Sequence, residues 1–334
     1  MILLSRARKI AHAIALACAI LLFITACNQR RERSFSDHPR LTSTVRMQDV
    51  RFHSSALDRD TTYRVVLPAS IPPGSKFAVV YLLHGANGSF RDWSNYTDVA
   101  RFAERALILV MPDGDESWYT NSAEHPQDRY EDYITRDLVA DVESRFPAAT
   151  ERASRAIVGI SMGGFGAVKL ALRRPDLFVF SGGLSSALDV PSRPFSIARI
   201  GKYRHYRSIF GPWGSASRRE NDPFALASSV DPGKMPYFFL TCGDNEGLLS
   251  TNRSFARILE RRHFPYEFHI VPGGHDWSQW NARLDEMFSS FLDRMGRDDS
   301  GGRAITPSFS TFPSSAFSVI IDRAPHAAQF SKTK

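Results

Sequence analysis

The sequence Gly-Ile-Ser-Met-Gly at residues 159–163 most constrains how this chain can fold. A G-x-S-x-G pattern needs a sharp turn between a strand and a helix, which leaves the serine oxygen exposed. The apolar run 155–158 before it predicts a short buried strand, and residues 165–172 after it predict a helix. Side chains at the glycine positions would collide with backbone or cover the serine oxygen. The pattern indicates that Ser161 is a nucleophile; the alternative is a structural turn whose serine merely starts a helix.

Strand and helix patterns alternate along most of the chain. Apolar or alternating stretches predict strands at 62–68, 77–83, 106–112, 155–158, 236–242 and 266–271, and helical spacing of apolar residues predicts helices at 134–143, 165–172 and 253–262. This alternation predicts an α/β protein with a mostly parallel, doubly wound sheet flanked by helices. In such sheets the ligand crevice lies outside the carboxyl ends of the strands.

A serine hydroxyl needs an imidazole to take its proton and a carboxylate to orient that imidazole. When the serine lies on such a turn, the acid and then the histidine follow later in the chain. The predicted strand 236–242 leads into a turn with two carboxylates, Asp244 and Glu246. The strand 266–271 is followed by a glycine-rich loop that ends at His275. His275 is therefore the predicted base, and from the residues alone either carboxylate can serve as the acid.

These residues belong to a longer series of ordered motifs between about residues 45 and 295. The series comprises Tyr81-Leu82-Leu83-His84-Gly85, Met111-Pro112-Asp113-Gly114, Ser117-Trp118-Tyr119, the Ser161 turn, Asn221-Asp222-Pro223, Cys242-Gly243 through Leu248, and Gly273-Gly274-His275-Asp276-Trp277. On these motifs the chain resembles the esterase D-like family of α/β-hydrolases. That family includes S-formylglutathione hydrolases, feruloyl and acetyl esterases, enterochelin esterases and mycolyltransferases.

The resemblance implies an α/β-hydrolase fold and a triad of Ser161, His275 and Glu246, with Asp244 supporting the turn. Related bacterial esterases usually place aspartate at the position of Glu246, whereas the mycolyltransferase branch uses glutamate. Two backbone amides are expected to bind the oxyanion of the tetrahedral intermediate. One belongs to Met162, the residue after the nucleophile; the resemblance assigns the other to Ala86.

Aromatic residues beside the strand-end loops are candidates for the wall of a substrate pocket, with core packing as the alternative. They are Trp118, Tyr119, Trp277 and Trp280. The stretch 185–231 interrupts the alternation with prolines, arginines and aromatic residues. It is interpreted either as a cap over the acyl pocket or as a surface excursion that its aromatic residues anchor to the core.

The N-terminal segment is typical of an export signal. Residues 1–26 combine early basic residues with an apolar run, and the small residue before Cys27 resembles a bacterial lipobox in which the cysteine is lipidated. We therefore expect a signal peptide over 1–26, a tether over 27–44, the hydrolase domain over 45–295 and a low-complexity, disordered tail over 296–334. The predicted location is the bacterial cell envelope, as a membrane-anchored lipoprotein; an uncleaved membrane anchor is the alternative.

The remaining composition excludes several classes of function. The chain has 334 residues, of which 43% are hydrophobic, so it can bury a large core. Neither a nucleic-acid-binding motif nor a metal- or phosphate-binding motif is present, so no metal and no cofactor are expected. The residues predict a serine carboxylic-ester hydrolase that forms an acyl-enzyme and acts on a small-molecule or carbohydrate-linked ester. The alternatives are an acyltransferase or thioester hydrolase with the same triad, and a non-catalytic envelope binding protein.

Overall fold

An eight-stranded sheet runs through the middle of the protein. Its strands are β1 (Val45–Ser54), β2 (Arg59–Pro68), β3 (Ala78–Leu83), β4 (Leu107–Pro112), β5 (Arg155–Ile160), β6 (Phe180–Leu184), β7 (Tyr237–Gly243) and β8 (Tyr266–Val271). The spatial order is β1-β2-β4-β3-β5-β6-β7-β8. The first two strands pair antiparallel with each other and β2 pairs antiparallel with β4, whereas all later pairs are parallel. The predicted mostly parallel, doubly wound α/β-hydrolase sheet is confirmed.

The computed structural model describes residues 37–194 and 200–295, and those from Pro39 onward belong to one unit. The predicted signal peptide with Cys27, most of the tether and the tail 296–334 lie outside the described residues. In the two described ranges, no helix has both the length and the apolar character needed to cross a membrane.

Helices cover both faces of the sheet. They are α1 (Asp92–Tyr96), α2 (Tyr130–Asp132), α3 (Leu138–Arg145), α4 (Met162–Arg173), α5 (Ile200–Phe210), α6 (Ala216–Glu220), α7 (Pro223–Ser229), α8 (Leu249–Arg261), α9 (Trp277–Asn281) and α10 (Leu284–Leu292). A π-helical turn at Tyr133–Asp137 joins α2 to α3, and 3₁₀ turns occur at Val99–Arg105, Arg152–Ser154, Val190–Ser192 and Pro232–Lys234.

The core lies in two layers, one on each face of the sheet. In β3, Val79, Tyr81 and Leu83 contribute to one layer, and Val80 and Leu82 contribute to the other. Because both faces are covered, the central parallel strands are continuous apolar runs rather than alternating ones. This rigid, doubly covered sheet fixes where each strand ends, and the candidate site lies at the carboxyl ends.

The stretch 185–231 contains three of the helices, α5, α6 and α7. Phe210, at the end of α5, is fully buried and its ring lies edge-on to Trp118. Trp213, in contrast, is 52% exposed. Phe210 therefore anchors this stretch to the core, as the second interpretation expected, while the prediction that it covers the acyl pocket stays a prediction. Residues 195–199 within it lie outside the described ranges.

Candidate active site

The structure brings three of the predicted residues into one hydrogen-bonded row. Ser161 directly follows β5, Glu246 lies in the loop after β7 and His275 lies in the loop after β8. His275 Nε2 is 2.9 Å from Ser161 Oγ, and His275 Nδ1 is 2.6 Å from Glu246 Oε2. The row therefore joins a hydroxyl, an imidazole and a carboxylate, which is the set that activates a serine.

The turn at Ser161 is strained, and close packing holds it. Ser161 has a φ of 53° and a ψ of −112°, which a residue with a side chain seldom adopts. Its N–H donates to Leu184 O at 2.9 Å. A Cβ on Gly159 would lie 2.2 Å from the Gly163 carbonyl oxygen, and one on Gly163 would lie 2.2 Å from Leu83 O. Both glycines are therefore required by neighbouring backbone atoms.

The Glu246 carboxylate is only 2% exposed and is held at both oxygens. While Oε2 contacts His275, Oε1 accepts hydrogen bonds from Ser185 Oγ at 2.6 Å, Cys242 Sγ at 3.0 Å and the Gly243 N–H at 2.5 Å. Burial raises the pKa of this carboxyl, but these hydrogen bonds outweigh burial and hold the pKa below its ordinary value of 4.5. Glu246 is therefore ionised at neutral pH.

Asp244, the alternative acid, contacts a different group. Its Oδ1 accepts the Gly273 N–H at 3.0 Å, which joins the loop after β7 to the loop after β8. The two loops also touch through backbone, because a Cβ on Gly243 would lie 2.5 Å from Gly273 O. Asp244 thus supports the loop that carries His275, while Glu246 makes the contact with the imidazole.

Ser185 and the ring of Trp280 surround the acid, and sequence reasoning had not assigned a role to Ser185. The Trp280 Nε1–H donates to Ser185 Oγ at 3.0 Å, and that hydroxyl in turn donates to Glu246. The Trp280 ring also lies edge-on to His275, with centroids 5.0 Å apart. Because Ser185 follows β6 directly, its place beside the β7 loop could have been found only from the strand order.

The two predicted oxyanion amides belong to the helix that follows Ser161 and to the loop after β3. Met162 is the first residue of α4, where backbone N–H groups lack partners within the helix. Ala86 is exposed in the loop after β3. A Cβ on Gly85 would lie 3.6 Å from Ser161 Cβ, so this loop passes directly beside the serine.

His84 supports that loop through both of its ring nitrogens. It is buried, its Nε2 accepts the Gly114 N–H at 2.8 Å, and its Nδ1 lies 2.7 Å from Gly85 O. His84 therefore fastens the β3 loop to the β4 loop.

The candidate pocket aromatics divide into buried and partly exposed rings. Trp118 is 5% exposed, while Tyr119 is fully buried. Trp277 is partly exposed and stacks on the exposed Tyr96 with centroids 5.3 Å apart. Trp277 and Tyr96 thus form aromatic surface near His275, and sequence reasoning had missed Tyr96 because it lies on α1, far from the motifs.

No group of three or more His, Cys, Asp or Glu side chains in the described part of the chain is arranged to hold a metal ion.

Comparison with known proteins gives consistent results. A family model described as putative esterase matches residues 54–291. The chain is 28% identical over 262 residues to an acetyl esterase of Caldicellulosiruptor saccharolyticus, covering 72% of this chain and 96% of the relative. Feruloyl esterases and Ag85 mycolyltransferases are also among the proteins to which it is similar.

Two solved structures from Staphylococcus aureus resemble it. Fluorophosphonate-binding serine hydrolase F has a TM-score of 0.65 at 25% identity, with 74% of this chain and 98% of that chain covered. An S-formylglutathione hydrolase has a TM-score of 0.64 at 25% identity, with 75% and 100% covered.

Proposed function

Because the chain belongs to the putative esterase family and is a carboxylic-ester hydrolase, we propose that Ser161, His275 and Glu246 hydrolyse the ester through an acyl-enzyme. The observation that carries this proposal is the continuous row of hydrogen bonds from Ser161 Oγ through both ring nitrogens of His275 to Glu246. The lowered pKa of Glu246 supports it, since the acid must be ionised to orient the imidazole.

In the first half-reaction, His275 Nε2 takes the Ser161 proton as Oγ attacks the ester carbonyl carbon. The oxyanion that forms accepts hydrogen bonds from the Met162 and Ala86 amides, and Glu246 stabilises the imidazolium through Nδ1–H. Collapse of this intermediate breaks the bond to the alcohol, which takes the proton from Nε2. Water, deprotonated by His275, then attacks the acyl-enzyme and releases the acid and free Ser161.

The relatives and the exposed aromatic surface near His275 support a proposal for the substrate class. We propose a small-molecule or carbohydrate-linked ester, since the similar proteins include an acetyl esterase and feruloyl esterases. Partly exposed Trp277 offers a flat ring near His275 on which such a group can rest. The alternatives that use the same triad are acyl transfer to an alcohol, as in the mycolyltransferases, and thioester hydrolysis, as in the S-formylglutathione hydrolase.

The test is hydrolysis of p-nitrophenyl esters across acyl lengths by wild type, Ser161→Ala, Glu246→Ala and Asp244→Ala. Ser161→Ala should abolish turnover and fluorophosphonate labelling, Glu246→Ala should lower kcat about 10³-fold or more, and Asp244→Ala should have a smaller effect. Equal losses in the two acid variants would contradict the assignment of Glu246. Added alcohols or matched thioesters identify the preferred acceptor and leaving group.

The family assignment argues against the non-catalytic binding protein considered from the sequence, and the same experiment tests it. Such a protein would bind esters without labelling of Ser161 and without burst release of p-nitrophenol. The intact row of hydrogen bonds argues against it, since ligand binding alone does not need a strained serine joined to an imidazole and an ionised acid.

We propose on sequence grounds that the mature protein is anchored in the cell envelope through a lipidated Cys27, facing the periplasm or lying in the outer membrane. The apolar run before Cys27 and the small residue at position 26 support this. Labelling with a radioactive fatty acid should be lost in Cys27→Ser; retained labelling would contradict the proposal.

A further inference from the structure

Tyr119 is fully buried and connects the two segments that carry the proposed oxyanion amides. Its hydroxyl donates to the backbone carbonyl of His84 at 2.9 Å, two residues before Ala86. Its own backbone carbonyl accepts a hydrogen bond from Lys169 Nζ at 2.7 Å. Lys169 lies on α4, the helix that begins at Met162. A single residue therefore contacts both the segment that leads to Ala86 and the helix that begins at Met162.

The tyrosine ring has almost no freedom to move. A Cβ on Gly166 of α4 would lie 2.5 Å from Tyr119 Cδ2, and a Cβ on Gly114 would lie 2.4 Å from Tyr119 Cε1. The ring is thus packed directly on the backbone of α4 and on that of the loop after β4. Because the ring cannot shift, the position of its hydroxyl relative to α4 is fixed.

The backbone that places this ring is itself strained. Trp118 and Tyr119 both have positive φ values, 55° and 51°. Non-glycine residues seldom adopt such φ values, and they keep them only where the surrounding structure enforces them. Two in succession, beside the proposed oxyanion site, indicate that the conformation of this loop serves the site.

Lys169 fixes the Trp118–Thr120 loop to α4 through hydrogen bonds and an ion pair. Its ammonium is fully buried, and besides Tyr119 O it donates to Thr120 Oγ1 at 3.0 Å and Glu131 Oε2 at 2.8 Å. Arg173 Nε binds the other oxygen of Glu131 at 2.6 Å. A buried, multiply bonded charge has few alternative arrangements, so the loop stays fixed to α4.

We propose that Tyr119 is a positioning residue that sets the separation of the Ala86 and Met162 amides, through its hydroxyl on His84 and its carbonyl on Lys169. This inference rests on the proposed function. Its consequence is specific: without the hydroxyl, the hydrogen bond that ties the Ala86 segment to the ring packed on α4 is lost. Binding of the tetrahedral intermediate then weakens, while the triad and the binding of ground-state substrate stay unchanged.

The first variant is Tyr119→Phe, which keeps the ring between Gly114 and Gly166 and removes only the hydroxyl. We expect kcat for p-nitrophenyl acetate to fall about tenfold, with KM and the pH profile of kcat/KM unchanged. Affinity for a trifluoromethyl ketone, which forms a tetrahedral adduct with a nucleophilic serine, should fall by the same factor. Tyr81→Phe is the matched control, since Tyr81 is equally buried on β3 but its hydroxyl lies beside Arg155. It should leave kcat, KM and the ketone affinity within twofold of wild type.

Lys169→Gln is the second variant and weakens the other half of the contact. It should lower ketone affinity and kcat together, even if the melting temperature also falls. Unchanged ketone affinity in Tyr119→Phe, or losses equal to those of Tyr81→Phe, would overturn the proposal. Failure of the proposed triad would instead appear as wild-type turnover in Ser161→Ala, so the two failures are distinguishable.

Discussion

At the scale of single residues, the two carboxylate oxygens of Glu246 make different contacts. One carboxylate oxygen must reach His275 while the other accepts from Ser185 Oγ, Cys242 Sγ and the Gly243 N–H. Three donors on the second oxygen fix the carboxylate plane, and so fix the direction of the bond to the imidazole. The hydrogen bonds that orient the acid are therefore the same ones that lower its pKa.

The lowered pKa of Glu246 predicts how stability depends on pH. A carboxyl whose folded pKa is below its unfolded value contributes stability that is present above about pH 4.5 and is lost as pH falls through the folded pKa. Glu246→Gln keeps the shape but cannot titrate. Urea unfolding between pH 6 and pH 3 should therefore show a steeper loss of unfolding free energy in wild type than in Glu246→Gln. Parallel slopes for the two proteins would contradict the assigned pKa direction.

Local pattern was enough to predict Ser161 and His275 because each lies in a short signature next to a clear strand. The choice between Asp244 and Glu246 needed a resemblance, since the two are only two residues apart in one turn. Ser185 and Tyr96 were missed because their contacts join segments that are distant in sequence. The sequence around Trp118 and Tyr119 fits a pocket wall and a packed core equally well. Both rings are buried in the structure because other parts of the chain pack over them.

At the scale of elements, the sequence predicted the apolar central strands better than β1 and β6. In β1, residues of low burial alternate with buried ones and the segment follows a polar stretch. In β6, the sequence Phe-Ser-Gly-Gly-Leu has little strand propensity. Its glycines are set by packing, since a Cβ on Gly182 would lie 2.9 Å from Val158. Neighbouring elements, rather than local preference, determine these strands.

Two glycines in helices, one packed against β3 and one exposed, should respond in opposite ways to substitution by alanine. Gly163→Ala places a methyl group 2.2 Å from Leu83 O and 2.6 Å from His84 O, both backbone atoms that cannot move independently. We expect a loss of about 3 kcal/mol in unfolding free energy, with loss of turnover. Gly201→Ala, on the exposed side of α5 with no atom within 4 Å, should gain about 0.5–1 kcal/mol and leave activity unchanged. Urea midpoints of the two variants measure this; a stable, active Gly163→Ala protein would mean that α4 can move away from β3.

At the scale of the whole molecule, the site draws on residues from Ala86 to His275, yet all of them lie at one edge of the sheet. The loops after β3, β5, β7 and β8 carry Ala86, Ser161, Glu246 and His275, the proposed oxyanion amide, nucleophile, acid and base. Tyr119, in the loop after β4, contacts His84 in the loop after β3. Ser185, directly after β6, contacts Glu246. Parallel neighbouring strands have their carboxyl ends at the same edge of the sheet, so the loops that follow them lie close together. A prediction of the parallel sheet therefore also predicts where the site lies.

The same architecture predicts where the chain can be shortened. The last described helix, α10, completes the core: Phe288 stacks on Phe102 with centroids 4.0 Å apart, and the ring of Phe291 lies 5.6 Å from that of Phe180. Truncation after Met295 should therefore leave ester hydrolysis and the unfolding midpoint unchanged. Truncation after Arg283 removes these rings, exposes one face of the sheet and should give insoluble protein. Loss of folding or turnover in the longer fragment would mean that residues 296–334 belong to the folded enzyme, because the described core would then be insufficient by itself.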